Sequence, residues 1–102
     1  MPTLAYKYQK QKGTAMKQIV DVTFEYGVKV VAFVNAELNA DVISVKANEL
    51  AESDALYYES YEELLEVMLN ELGVDDVTII DREEINSYIF DDYVEVDLQY
   101  IF

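Results

Sequence analysis

The run Ile19-Val-Asp-Val-Thr-Phe-Glu-Tyr-Gly-Val-Lys-Val-Val-Ala-Phe-Val34 decides the fold class. Val20, Val22, Phe24 and Tyr26 alternate with Asp21, Thr23 and Glu25, the period-two pattern of a strand with one buried and one wet face. Gly27 interrupts the alternation, and a second β-rich run over 28–34 follows at once. Glycine accepts the positive φ of a II′ turn, so Gly27-Val28 joins the two runs as a tight hairpin; a bulge in one longer strand is the alternative.

Outward from this hairpin, Asn39-Ala-Asp supplies turn chemistry, and Val42-Ile-Ser-Val-Lys-Ala reads as a shorter third strand. Ser60-Tyr-Glu-Glu is a capping box, in which Ser60 accepts from the amide of Glu63 and the Glu63 side chain returns to the amide of Ser60. Tyr61, Leu64, Leu65, Met68, Leu69 and Leu72 then recur at helical spacing, and Gly73 suits a left-handed cap, which predicts a helix over about 61–72. Val77-Thr-Ile-Ile is a short strand and Tyr93 to Phe102 a long alternating one. Between them, 82–90 reads two ways: a helix capped by Asp81 and Glu84, or one arm of a hairpin, which we favour. The sum is an α+β domain, an antiparallel β-sheet of about five or six strands with one main amphipathic helix packed on one face.

Charge divides the chain. Residues 1–18 hold four lysines and no acid, a basic N-terminal arm or extension at +4; residues 19–102, the single acidic domain, hold all 21 acids against Lys29, Lys46 and Arg82, a net −18. The whole chain of 102 residues stands at −14 with 52% hydrophobic residues, too apolar for a disordered tail. Met16 precedes the strand pattern directly, so the first fifteen residues read as an extension, an arm or a cloning remnant. Their composition suits a basic tail, or an arm whose Tyr6, Tyr8 and lysines touch nucleic acid or lie across the acidic face. They contain no apolar run of signal-peptide or anchor length, and the expectation is a soluble cytoplasmic protein.

With no histidine and no cysteine, triads built on those residues, nitrogen- or sulfur-ligated zinc, haem, iron–sulfur clusters and disulfides are outside this sequence's chemistry. Catalysis would need carboxylates, yet the neighbouring pairs Glu62-Glu63, Asp75-Asp76, Glu83-Glu84 and Asp91-Asp92 diverge on either a strand or a helix. Calcium-loop spacing and a glycine-rich phosphate loop are both missing from the sequence, so the expectation is a non-enzyme with no metal and no cofactor.

A body at −18 repels phosphates, so its expected partner is a basic nucleic-acid-binding protein, with carboxylates standing where phosphates would lie. Glu59, Glu62, Glu63 and Glu66 fall on one side of the helix, and Asp75, Asp76, Asp91 and Asp92 fall at element ends within reach of a partner. Glutamate also favours helices and solubility, which explains any one doublet, but a net charge of roughly 2 to 8 suffices for solubility. Nine tyrosines against four phenylalanines add amphipathic rings; Tyr57, Tyr58 and Tyr93 are interface candidates, whereas Tyr26, Tyr61 and Tyr100 sit on expected core faces.

In size, in the excess of acids from Asp21 to Asp97, in interleaved tyrosines and in α+β pattern, the chain resembles small, mostly phage-encoded acidic DNA mimics that block CRISPR or restriction nucleases. The likeness includes no shared motif and transfers no residue. It implies an inhibitor that occupies the DNA-binding groove of a bacterial defence nuclease inside the host cell. An immunity protein or antitoxin against a basic nuclease toxin uses the same physics. A structural module oligomerising through strand edges is the rival from another class.

Overall fold

The computed structural model describes residues 16–53 and 59–99. Strand β1 (Lys17–Thr23) pairs antiparallel with β2 (Lys29–Asn35), with Lys17 opposite Asn35 and Thr23 opposite Lys29. The hairpin forms as expected, but its turn lies one residue earlier than the II′ reading. Tyr26 and Gly27 both take positive φ, 64° and 75°, and Phe24 N donates to Val28 O at 2.7 Å. Tyr26 is therefore not core: it stands 90% exposed at the hairpin tip.

Val42–Ala47 is not a third strand but part of helix α1 (Ala40–Ser53). Asn39 Oδ1 accepts from Val42 N at 2.9 Å, an N-cap, and Ile43, Ala47 and Leu50 then share the inward face at four- and three-residue spacing. Burial of that stripe outweighs the β preference of Val42, Ile43 and Val45.

Helix α2 (Tyr61–Glu71) sits where the sequence places it, with Ser60 Oγ accepting from Glu63 N at 3.2 Å. The reciprocal bond shifts by one position, since Glu63 Oε1 accepts from Glu59 N at 2.7 Å instead of from Ser60. At the other end Val74 N reaches Leu69 O, Gly73 N reaches Asn70 O, and Gly73 holds φ 90°, a Schellman closure.

Strand β3 (Val77–Ile80) pairs antiparallel with β2, and β4 (Asp92–Asp97) pairs parallel with β1. The described sheet is thus mixed and four-stranded, in the order β3-β2-β1-β4, with two helices, where five or six antiparallel strands and one helix were expected. The expected continuation of the last strand through Phe102 falls partly outside the described residues.

Residues 82–90 are not a hairpin arm. Arg82–Ser87 form a 3-10 turn, and Glu84 Oε1 accepts from Asp81 N at 3.2 Å. β3 and β4 point the same way at opposite edges of the sheet, so the segment between them crosses one sheet face. Ile85, Tyr88 and Phe90 cover Ile19, Val31 and Ile80 on that face, and Tyr88 packs on Phe33 with ring centroids 4.9 Å apart. On the other face, α1 and α2 bury Val20, Val22, Ala32, Val34, Val94 and Val96 beneath Ile43, Leu65, Met68 and Leu69. β1 is therefore covered on both sides: Ile19 and Val20 are equally buried, and Asp21, expected on a wet face, is 4% exposed.

Candidate functional site

Two ends of the sheet divide the acids. At the hairpin end lie the β1–β2 turn, the N-terminus of α2 and the ends of β3 and β4; at the open end lie Lys17, Asn35, the start of β3 and the start of β4. Phe24 stacks on Tyr61 at 4.8 Å and Tyr61 OH donates to Glu25 Oε1 at 3.2 Å, which fixes the start of α2 beside the hairpin.

Glu59, Glu62 and Glu66 are exposed along this helix, whereas Glu63 is half-buried and occupied as a cap. Glu62 and Glu66, four residues apart, are neighbours that repel by a few tenths of a kcal/mol. Carboxylates in the first turn gain from the helix dipole, which offsets part of that cost at Glu62. Asp81, Glu83, Glu84 and Asp97 stand at the same end of the sheet, all exposed.

The doublets Asp75-Asp76 and Asp91-Asp92 do not join this group. Asp75 and Asp76 follow the far end of α2, about 16 Å away by the rise of an eleven-residue helix. Asp76 accepts from Asn35 Nδ2 at 2.8 Å. Asp91 exchanges bonds with the Lys17 backbone, donating its amide at 2.6 Å and accepting through Oδ2 at 3.1 Å. Asp92 accepts from Gln18 Nε2 at 3.3 Å and from Tyr93 N at 2.9 Å. Asp76, Asp91 and Asp92 thus also fasten the open end of the sheet. Tyr57 and Tyr58 lie outside the described residues.

Tyr93, an interface candidate from sequence, is 38% exposed and donates its hydroxyl to Asp21 Oδ2 at 2.6 Å. Arg82 Nη1 meets Asp21 Oδ1, also at 2.6 Å. The buried carboxylate is thereby satisfied from both sides. Its hydrogen bond, reinforced by burial, holds the Tyr93 phenol above the usual tyrosine range, and its hydrogen bond to Arg82 raises the guanidinium as well. Sequence reasoning missed this trio. Its only signal was an acid between Val20 and Val22, in a chain with a single arginine.

Twenty acids fall among the described residues, and two of them are in ion pairs, Asp21 with Arg82 and Glu49 with Lys46; the other eighteen meet no described cation within 4.0 Å. Among the described residues no three acids converge as a metal site, and no helix is long and apolar enough to cross a membrane. Neither protein-family models, nor curated proteins, nor solved structures yield a match to this chain.

Proposed function

We propose that this chain is a non-enzymatic inhibitor that occupies the cationic, nucleic-acid-binding groove of a bacterial defence nuclease, a CRISPR effector or a restriction enzyme, by acidic mimicry of DNA. The observation that carries the reading is the set of eighteen carboxylates without a described cationic partner on so small a domain. A surface built only for solubility needs far less charge. A groove that binds duplex DNA is built to neutralise about one phosphate per 1.7 Å of helix axis, and a rigid array of carboxylates engages the same lysines and arginines.

The hairpin end is the stronger candidate for the contact. There Glu59 and Glu62 are exposed at the start of the helix that stacks on the hairpin, Glu66 follows one turn on, and Tyr26 is a ring held out at the hairpin tip, the residue type that anchors interfaces. At the open end Asp76, Asp91 and Asp92 already serve the fold.

The test begins with affinity capture of the partner from a bacterial lysate and continues with displacement of a labelled DNA duplex from that partner. The expected result is mutual exclusion of this chain and DNA, with a complex that weakens steeply as salt rises. A partner that holds DNA and this chain together, or a complex indifferent to salt, would overturn the reading.

A further inference from the structure

We propose that the outer edge of β4 takes an added strand from a partner protein, an extended segment carrying lysine or arginine at alternate positions. In the order β3-β2-β1-β4, no described residue pairs with that edge. An open edge presents a row of unpaired main-chain donors and acceptors, a template for another chain.

The register fixes which groups are presented. In a parallel pair the main chain of alternate residues faces the neighbouring strand. Asp97 lies opposite Thr23, and the next residue, Leu98, donates its amide to Thr23 O at 2.7 Å. Val94, Val96 and Leu98 therefore turn their main chain to β1, while Tyr93, Glu95 and Asp97 turn theirs outward. Tyr93 N accordingly donates not to β1 but to Asp92 Oδ1, at 2.9 Å. The amides of Glu95 and Asp97 remain as the outward donors of the strand.

Side chains decide which strand fits. Glu95 and Asp97 are exposed on the sheet face that carries Asp21, and neither pairs with a described cation. Proteins block sheet edges with proline, lysine, a bulge or a very short strand. β4 runs six residues in unbroken register without proline or lysine, whereas β3, at the other edge, has only four. A strand laid on β4 brings its side chains to about 5 Å from Glu95 and Asp97, where opposite charges stabilise and like charges destabilise. A second copy supplies no cation there: its β4 sets acid against acid, and its β3, Val77-Thr-Ile-Ile, is uncharged. Charge thus selects a cationic segment of another protein. The edge is a different surface from the exposed row on α2, and the inference stands whether or not the partner is a nuclease.

The probe is a short synthetic peptide in which lysine alternates with valine, added to the isotope-enriched, full-length chain. Saturating peptide should slow hydrogen exchange at the amides of Glu95 and Asp97 by about tenfold or more, and added salt should weaken the complex. The same peptide N-methylated throughout keeps its charge, loses its donors and should give no protection. Glu95→Lys with Asp97→Lys, at exposed positions, should weaken binding of the lysine peptide by about tenfold or more and favour a peptide in which glutamate replaces lysine. The N-methylated comparison uses the wild-type chain and so does not depend on the folding of that variant. Equal binding of the N-methylated peptide, perturbation confined to Glu59, Glu62 and Glu66, or no protection at millimolar peptide would overturn the proposal. Protection of both amides already present in the free chain, whether constant or rising with chain concentration, would assign the edge to this chain or to a second copy and overturn it equally.

Discussion

Asp21 is the residue on which the second core depends. It sits 4% exposed beneath the 82–90 crossover, and Arg82, arriving from the end of β3, is its cationic partner while Tyr93 supplies a second donor. Removing Arg82 leaves a buried carboxylate half-satisfied, so Arg82→Met should cost about 1–3 kcal/mol in urea unfolding. Tyr93→Phe should cost about 1 kcal/mol, since it loses one hydrogen bond to a charged acceptor and keeps the ring. Tyr93 also sets a pH dependence. Its phenol holds its proton more tightly in the folded chain than in the unfolded one, where the value is near 10.0. That contribution is complete below pH 10 and fades as pH rises through the folded value. The stability gap between wild type and Tyr93→Phe, followed by urea midpoints from about pH 9 to about pH 11, should therefore narrow on the alkaline side. A gap that widens would rule out the Asp21 hydrogen bond as its source.

Among the elements, the helices show how far local signals reach. α2 announces itself through Ser60, a six-residue apolar stripe and Gly73, and each of these is found in place. At Gly73 a Cβ would meet nothing within 4 Å, so the demand is purely on the backbone at φ 90°. Gly73→Ala should destabilise by about 1–2 kcal/mol, read as a shift in the unfolding midpoint, although nothing clashes. α1 carries a weaker signature. Its β-branched Val42, Ile43 and Val45 suit a strand locally, and the deciding facts are the Asn39 cap and the burial of Ile43, Ala47 and Leu50 against the sheet. Asn39→Ala should cost about 0.5–2 kcal/mol, a loss detectable as fraying of α1 by amide exchange. The 82–90 crossover was legible only as an ambiguity, because Ile85, Tyr88 and Phe90 fit a helix or a hairpin until the face they cover is known.

For the whole molecule, net charge governs the response to salt, because a chain at −14 repels itself. Folding gathers these charges, and salt screens them beyond about 8 Å at physiological ionic strength. Thermal midpoints at neutral pH should therefore rise as sodium chloride is added at moderate concentration; a midpoint that falls would mean that favourable pairs dominate. Glu62→Gln with Glu66→Gln should change stability by no more than about 0.5 kcal/mol and weaken the partner complex. Glu63 is excluded from that test because it caps α2, and its removal would confound folding with binding. An undiminished complex would remove the exposed helix row from the proposed interface.

By itself the sequence determined which residue types are present for chemistry, the partition of charge, the first hairpin, the capped helix and the short strand over Val77–Ile80, since each rests on local spacing or on which residue types exist at all. Only the tertiary structure decided the direction of β4, the helical state of residues 40–53, the burial of Asp21 and the separation of the acids onto two ends of the sheet. These depend on contacts between residues far apart in the chain, such as Asp21 with Arg82 and Gln18 with Leu38. Periodicity reports which positions want a buried face; which face buries them is set by the packing of the whole domain.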